Sequence, residues 1–393
     1  MKPENFYTGL RKPIEAHLPV VTVGNEGMFR GADQFAIQGA VDYVARHGGG
    51  EVHLLPGKYI LRNAIFLPSF VTLIGSGDET ILEKHPSQTV ELAEDCDWYS
   101  WSVVVKSTFG FAVGDGITLS SQRIDNKESV QVTLHTITGI DGNRLFLDSL
   151  PRVNHWLGND AKITSTHSLI DIQKASGIAV KNLRLEGNRT QTEKLDGNYG
   201  AAIFMQDCEN IQVQNVAIHD WNGDGISWQI GHDVHIEHCD ISNMTVLGLH
   251  PGSGSQRPVM RGNKISNCDV GIFWCWGVCN GIAENNQITG SKKHGISTGH
   301  RDNDNIIRSN TISGSGEAEI YFRPERSADH TSNRVLIEGN SIECSADVPG
   351  ISVARGAEDV IIRCNQIHVP DASKAIVIDD EAVRTILEKN EVR

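Results

Sequence analysis

The chain has 393 residues, 39% hydrophobic and 21% charged, with 39 Gly and a formal net charge of −14 at pH 7. That acidity argues against a nucleic-acid partner, because neutralising phosphates needs an excess of Lys and Arg, and here 35 of them face 49 Asp and Glu. No stretch approaches the roughly 20 apolar residues of a membrane span and none reads as a secretory leader, so no membrane partner is expected and the location implied is cytoplasmic, or secreted or periplasmic if a leader was trimmed.

Residues 1–30 carry no clear pattern and read as an N-terminal extension. Asp33 then stands where it can cap a helix that places Ile37, Val41 and Val44 on one face, and Gly48-Gly49-Gly50 ends that helix before the strand-like Glu51-Val52-His53-Leu54. Such a helix would cover one open end of a stacked β structure. Between about 93 and 168 short alternating strands, Gln131 to Thr136 and Arg144 to Leu147 among them, separate turns at Gly114-Asp115-Gly116 and Asp141-Gly142-Asn143. This reads as a small β insertion able to lean over one face and wall a cleft.

Beyond it the chain repeats. A small residue, usually Gly, followed by an aliphatic one recurs at Gly225-Ile226, Gly248-Leu249, Gly271-Ile272, Gly295-Ile296, Gly350-Ile351 and Ala375-Ile376, with Glu319-Ile320 in the series, at steps of 23, 23, 24, 24, 31 and 25 residues. The long step places a loop insertion near Ser327 to Asn333. A second column sets Asn two residues before Ile: Asn263, Asn286, Asn310, Asn340 and Asn365. Each unit reads as one coil of three short strands, stacked at about 4.8 Å with aliphatics over aliphatics and an Asn ladder along one turn. The expected fold is all-β: a single right-handed parallel β-helix over 31–393 with an N-terminal capping helix and the inserted β subdomain. The eight Cys form no CxxC pair and read as small buried hydrophobes.

The run from Gly31 through GGGEVHLLPGKYIL to FVTLIGSG, together with the repeats from about Ile170, resembles pectate-lyase-like and polygalacturonase-like β-helix proteins. The resemblance implies a carbohydrate substrate. Asn222-Gly223-Asp224-Gly225-Ile226 is similar to the stretch that carries a catalytic aspartate in polygalacturonases, which points to Asp224. One coil later the paired aspartates of that family are replaced by Val246-Leu247-Gly248-Leu249-His250, so its inverting mechanism is not implied.

Aligned on the Gly-Ile column, the residues two and four places beyond Gly face outward, because strand side chains alternate. They include Ser227, His250, Phe273, Ser297, Tyr321 and, in the second column, Gln229, Cys275 and Arg323. Trp276, His300, Arg301, Asp302 and Glu325 follow the strands; His294 precedes one. His, Arg, carboxylate and Trp on one strip suit a sugar site, with an aromatic face for the ring and charged groups for proton transfer. Asp224, His250, His300, Asp302, Arg323 and Glu325 are the catalytic candidates. Gln229, Trp274, Trp276, His294, Arg301 and Tyr321 are the substrate-binding ones. Asp224 and Asp302 stand three coils apart, roughly 14 Å, beyond the separation of about 5–9.5 Å used by glycosidase acid pairs, whereas Asp302 and Glu325 lie on adjacent coils.

The function expected is cleavage of a glycosidic bond in a poly- or oligosaccharide, by hydrolysis before elimination. Lyase, epimerase or intramolecular glycosyl transferase chemistry is the alternative, and a non-catalytic glycan-binding solenoid is the second. No metal site and no cofactor are expected; calcium is the ion that a lyase-like reaction would bring. The sequence leaves the oligomeric state open.

Overall fold

The computed structural model describes residues 18–195, 197–325, 327, 330–345 and 347–393. The first 17 residues of the expected extension therefore lie outside the described residues, as does part of the loop from Ser327 to Asn333. The solenoid itself begins within that extension, because Val20–Val23 pairs in parallel with Glu51 to Leu54. The helix runs Gln34–Arg46, its first turn capped by the Asp33 carboxylate, which accepts from Ala36 N–H at 3.0 Å. Ile37, Val41 and Val44 are buried against the first coil, as the periodicity requires.

Three parallel sheets wind along the axis, and each contributes one aliphatic column to a single core. The first column runs Ile65, Ile170, Ile203, Ile226, Leu249, Ile272, Ile296, Ile320, Ile351. In the second, Val52, Leu73, Val180, Val213, Ile236, Met260 and Ala283 succeed one another, and in the third Leu185, Ile218, Ile241, Ile265, Ile288, Ile312 and Ile342. Each residue stands over its counterpart one coil below, so nearly all are fully buried. At the turn between the second and third sheets the Asn column forms the ladder anticipated from the repeat. Asn263, Asn286, Asn310 and Asn340 each donate Nδ2–H to the Oδ1 of the Asn one coil on, and Asn365 continues the run to Asn390. The same side chains take up backbone groups that the turn leaves unpaired.

The insertion is a six-stranded antiparallel sheet from Thr89–Glu91 to Lys162–Thr164, slightly earlier than the expected 93–168. It has a separate core of Leu92, Val103, Leu119, Ile137, Leu145 and Ile163 among others. Arg62, at the end of the first coil, ties it down: Nε and Nη2 each donate to a carboxylate oxygen of buried Asp115 at 2.6 Å. Asn63 adds a bond to Thr136 Oγ at 3.0 Å. These contacts lean the insertion over the first sheet at its N-terminal end. All eight Cys are free, and among the described residues no helix is long and apolar enough to cross a membrane.

Candidate functional site

The outward side of the first sheet carries the predicted column, and it starts earlier than Ser227. In register it reads Phe66, Asp171, Phe204, Ser227, His250 and, further along, Phe273, Ser297, Tyr321, Ser352. Gln173, Gln206 and Gln229 form the neighbouring column. Asp171 and Gln173 were missed because the alignment began at Gly225, although Ile170-Asp171 and Ile203-Phe204 continue the same alternation two coils back. The alternation also corrects one predicted residue. Trp274 stands three places after Gly271, an inward position, and is fully buried in the core, so it offers no ring to a substrate.

Asp224 and His250 are brought together. Asp224 Oδ2 lies 2.8 Å from His250 Nδ1 while Oδ1 accepts from Leu247 N–H at 3.1 Å. His250 is 5% exposed, its Nε2 is buried without a hydrogen-bond partner, and Phe273 meets its ring edge-on at 5.5 Å. Gln229 is similarly enclosed, its Oε1 accepting from Ser253 N–H at 2.9 Å.

Arg323, partly exposed, crosses the strip. Its guanidinium lies 4.2 Å from the centre of the Phe273 ring, donates to Ser297 Oγ at 3.0 Å and to the Trp274 carbonyl at 2.7 Å, and reaches Asp302 Oδ2 at 3.1 Å. Gly299 makes room for it, since a Cβ there would sit 2.8 Å from the guanidinium carbon. Asp302 is fully buried, and both its oxygens are occupied: Oδ1 accepts from Val278 N–H at 3.0 Å and Oδ2 from Gly299 N–H at 2.8 Å as well as from Arg323. Burial raises its pKa, with Arg323 opposing. The expected Asp302–Glu325 acid pair is therefore replaced by a structural clamp, because one member is sealed beneath the turn that the other overlooks.

What the strip does expose is aromatic. Trp276, 60% exposed and in the left-handed region (φ 60°), stacks on His300 with centroids 4.9 Å apart and planes at 30°. His300 contacts His330 at 4.7 Å, and its Nδ1 lies 3.3 Å from Glu325 Oε2. Arg301 is exposed beside them. At the start of the strand His294–Thr298 that leads to His300, His294 stacks flat on Tyr321 at 4.1 Å and 11°, its Nε2 3.5 Å from Glu317, with burial lowering its pKa. Among the described residues no three His, Cys, Asp or Glu side chains converge as a metal site would require.

Residues 201–367 match the family model described as right handed beta helix region. The chain is a right-handed parallel β-helix. Solved β-helix structures agree over nearly its whole length. The A-module of a mannuronan C-5 epimerase from Azotobacter vinelandii is 14% identical, with a TM-score of 0.55 over 92% of this chain and 93% of that one. A structure described as a glycoside hydrolase is 10% identical, with a TM-score of 0.58 over 95% and 96%. The Dettilon tailspike protein is 11% identical, with a TM-score of 0.55 over 91% of this β-helix and 58% of its own chain. No curated protein matches by sequence.

Proposed function

We propose that the protein binds a poly- or oligosaccharide along the outward face of the first sheet and hydrolyses one of its glycosidic bonds. The observation that carries this reading is the Trp276–His300 stack, an exposed aromatic ridge beside the Glu325 carboxylate. A large ring held open to solvent by the turn forgoes burial, and its open face suits the apolar face of a pyranose. The epimerase and glycoside hydrolase with the same fold support a saccharide as the partner.

The Asp224–His250 pair favours a second reading, elimination or epimerisation. A carboxylate that fixes Nδ1 orients the imidazole for proton transfer at Nε2. Against it, that Nε2 is shut off from the surface.

The test is a panel of neutral and uronate oligosaccharides assayed together for new reducing ends, unsaturated products and altered sugar stereochemistry. Reducing ends without unsaturation support hydrolysis. Binding that depends on Trp276, with no product of any kind, identifies a non-catalytic glycan binder, and neither binding nor turnover refutes the proposal.

A further inference from the structure

The insertion closes a cavity of about 160 Å³ against the N-terminal end of the same face. The solenoid contributes Phe66, Asp171 and Gln173, and the insertion contributes His135 and Asp148 from the opposite wall. Asp171 belongs to the outward column that leads to His250. Its carboxyl is 7% exposed and accepts a hydrogen bond from Gln173 Nε2 at 3.0 Å. Burial pushes its pKa up to about 6, against the pull of Gln173, so a proton is held there well above the ordinary aspartate range.

Asp148 is the more open of the two. Its side chain is 44% exposed, and Oδ1 accepts from Thr136 N–H at 2.9 Å and from Ser149 Oγ at 3.2 Å, which fixes the carboxylate on the insertion. His135 lies 3.8 Å away and is itself held at both ring nitrogens, by Ser149 and Thr133. Burial lowers the pKa of His135 and takes that of His167 to about 3, so neither brings a positive charge to the cavity at neutral pH. No Lys or Arg lines it. Two carboxyl groups in contrasting surroundings, one enclosed and one open to water, are what a glycosidase needs as proton donor and base.

We propose that this cavity is the reaction centre and takes one neutral sugar residue of the substrate, Asp171 giving its proton to the glycosidic oxygen and Asp148 receiving a proton from the attacking water. The inference rests on the hydrolase reading above. The bond from the anomeric carbon to the glycosidic oxygen breaks with its electron pair left on that oxygen, which leaves as a hydroxyl. Water oxygen bonds to the anomeric carbon, and the two aspartates return to their starting states by proton exchange with solvent. A uronate at this position would set its own carboxylate beside that of Asp148, with no Lys or Arg among the lining residues to pair with it, so a neutral residue is specified. From Asp171 the face runs four coil steps to the Trp276 turn, roughly 19 Å at a spacing of about 4.8 Å, so that Trp276 holds sugar units distant from the cleaved bond.

The experiment uses the full chain and an oligosaccharide from the panel that the wild type hydrolyses. Asp171→Asn and Asp148→Asn are each expected to lower kcat at least about 100-fold, with substrate affinity and melting temperature held. Asp148→Ala with added azide should recover turnover by trapping the sugar as its glycosyl azide. Asp148 is partly exposed, so its variants stay informative even where Asp171→Asn fails to fold. Wild-type kcat in Asp148→Asn overturns this assignment while the hydrolase reading stands. A wild type that binds but cleaves nothing on the panel overturns the hydrolase reading itself.

Discussion

Lys84 Nζ lies 4.2 Å from the centre of the Trp221 ring, inside the fold, and donates to Thr166 Oγ at 2.8 Å. Burial lowers its pKa to about 7 from 10.5. Between those two values the unfolded chain binds more protons than the folded one, so stability should rise from about pH 7 to about pH 10. Below pH 7 both states are protonated and the penalty is constant. Lys84→Met should add a few kcal/mol at neutral pH and flatten that rise. Denaturant midpoints for wild type and variant at pH 6, 8 and 10 make the comparison; parallel profiles would show that Lys84 is solvated.

The Asn ladder invites a different test. Asn310 Nδ2 donates to the Ala283 carbonyl and to Asn340 Oδ1, while its own Oδ1 accepts from Asn286 N–H and Nδ2–H. Asn310→Ala leaves several buried groups unpaired and should cost about 2 kcal/mol or more. Asn310→Asp should do no better, since a carboxylate oxygen would face Asn340 Oδ1. Thermal melts check both, and an unchanged midpoint would mean that water replaces the ladder.

The ladder was legible in the sequence because coils stack in register: a residue's neighbour above is its counterpart one repeat later, so periodicity reports contacts directly. The capping helix was legible for a local reason, Asp33 before an amphipathic run. Contacts outside the repeat were not. Asp302 reads as an available acid beside His300, and only the fold brings the Val278 N–H and Arg323 onto it. The cavity depends on the lean of the insertion, which Arg62 and Asp115 set across 53 residues of chain. Asp171 continues the outward alternation two coils before Ser227, and Trp274 occupies an inward place in it that residue type alone does not reveal.

Ile296 tests the register itself. It stands between Ile272 and Ile320 in the first column and is fully buried. Ile296→Asp would set an unpaired charge among aliphatics and should destabilise by several kcal/mol, whereas Ile296→Val should cost about 1 kcal/mol. A normally melting Ile296→Asp protein would place that side chain outside the coil.

The final comparison separates a residue that holds the strip from one that meets the substrate. In Asp302→Asn an amide hydrogen would confront the Val278 or Gly299 N–H, and the Arg323 guanidinium would lose its buried anion; breaking such a pair costs about 3–5 kcal/mol. That variant should melt well below wild type, with any loss of turnover following the loss of folded protein. Trp276 has little burial to lose, so Trp276→Ala should melt like wild type yet bind saccharide roughly 3–10-fold more weakly, the equivalent of about 0.5–1.5 kcal/mol of stacking. Because the ridge lies several sugar units from the insertion cavity, the loss should appear in KM for long oligosaccharides and vanish for those too short to span the face. Steady-state kinetics over a length series, set beside the melts, reads both effects. Equal losses at every length would place the reacting sugar at Trp276 rather than at the insertion.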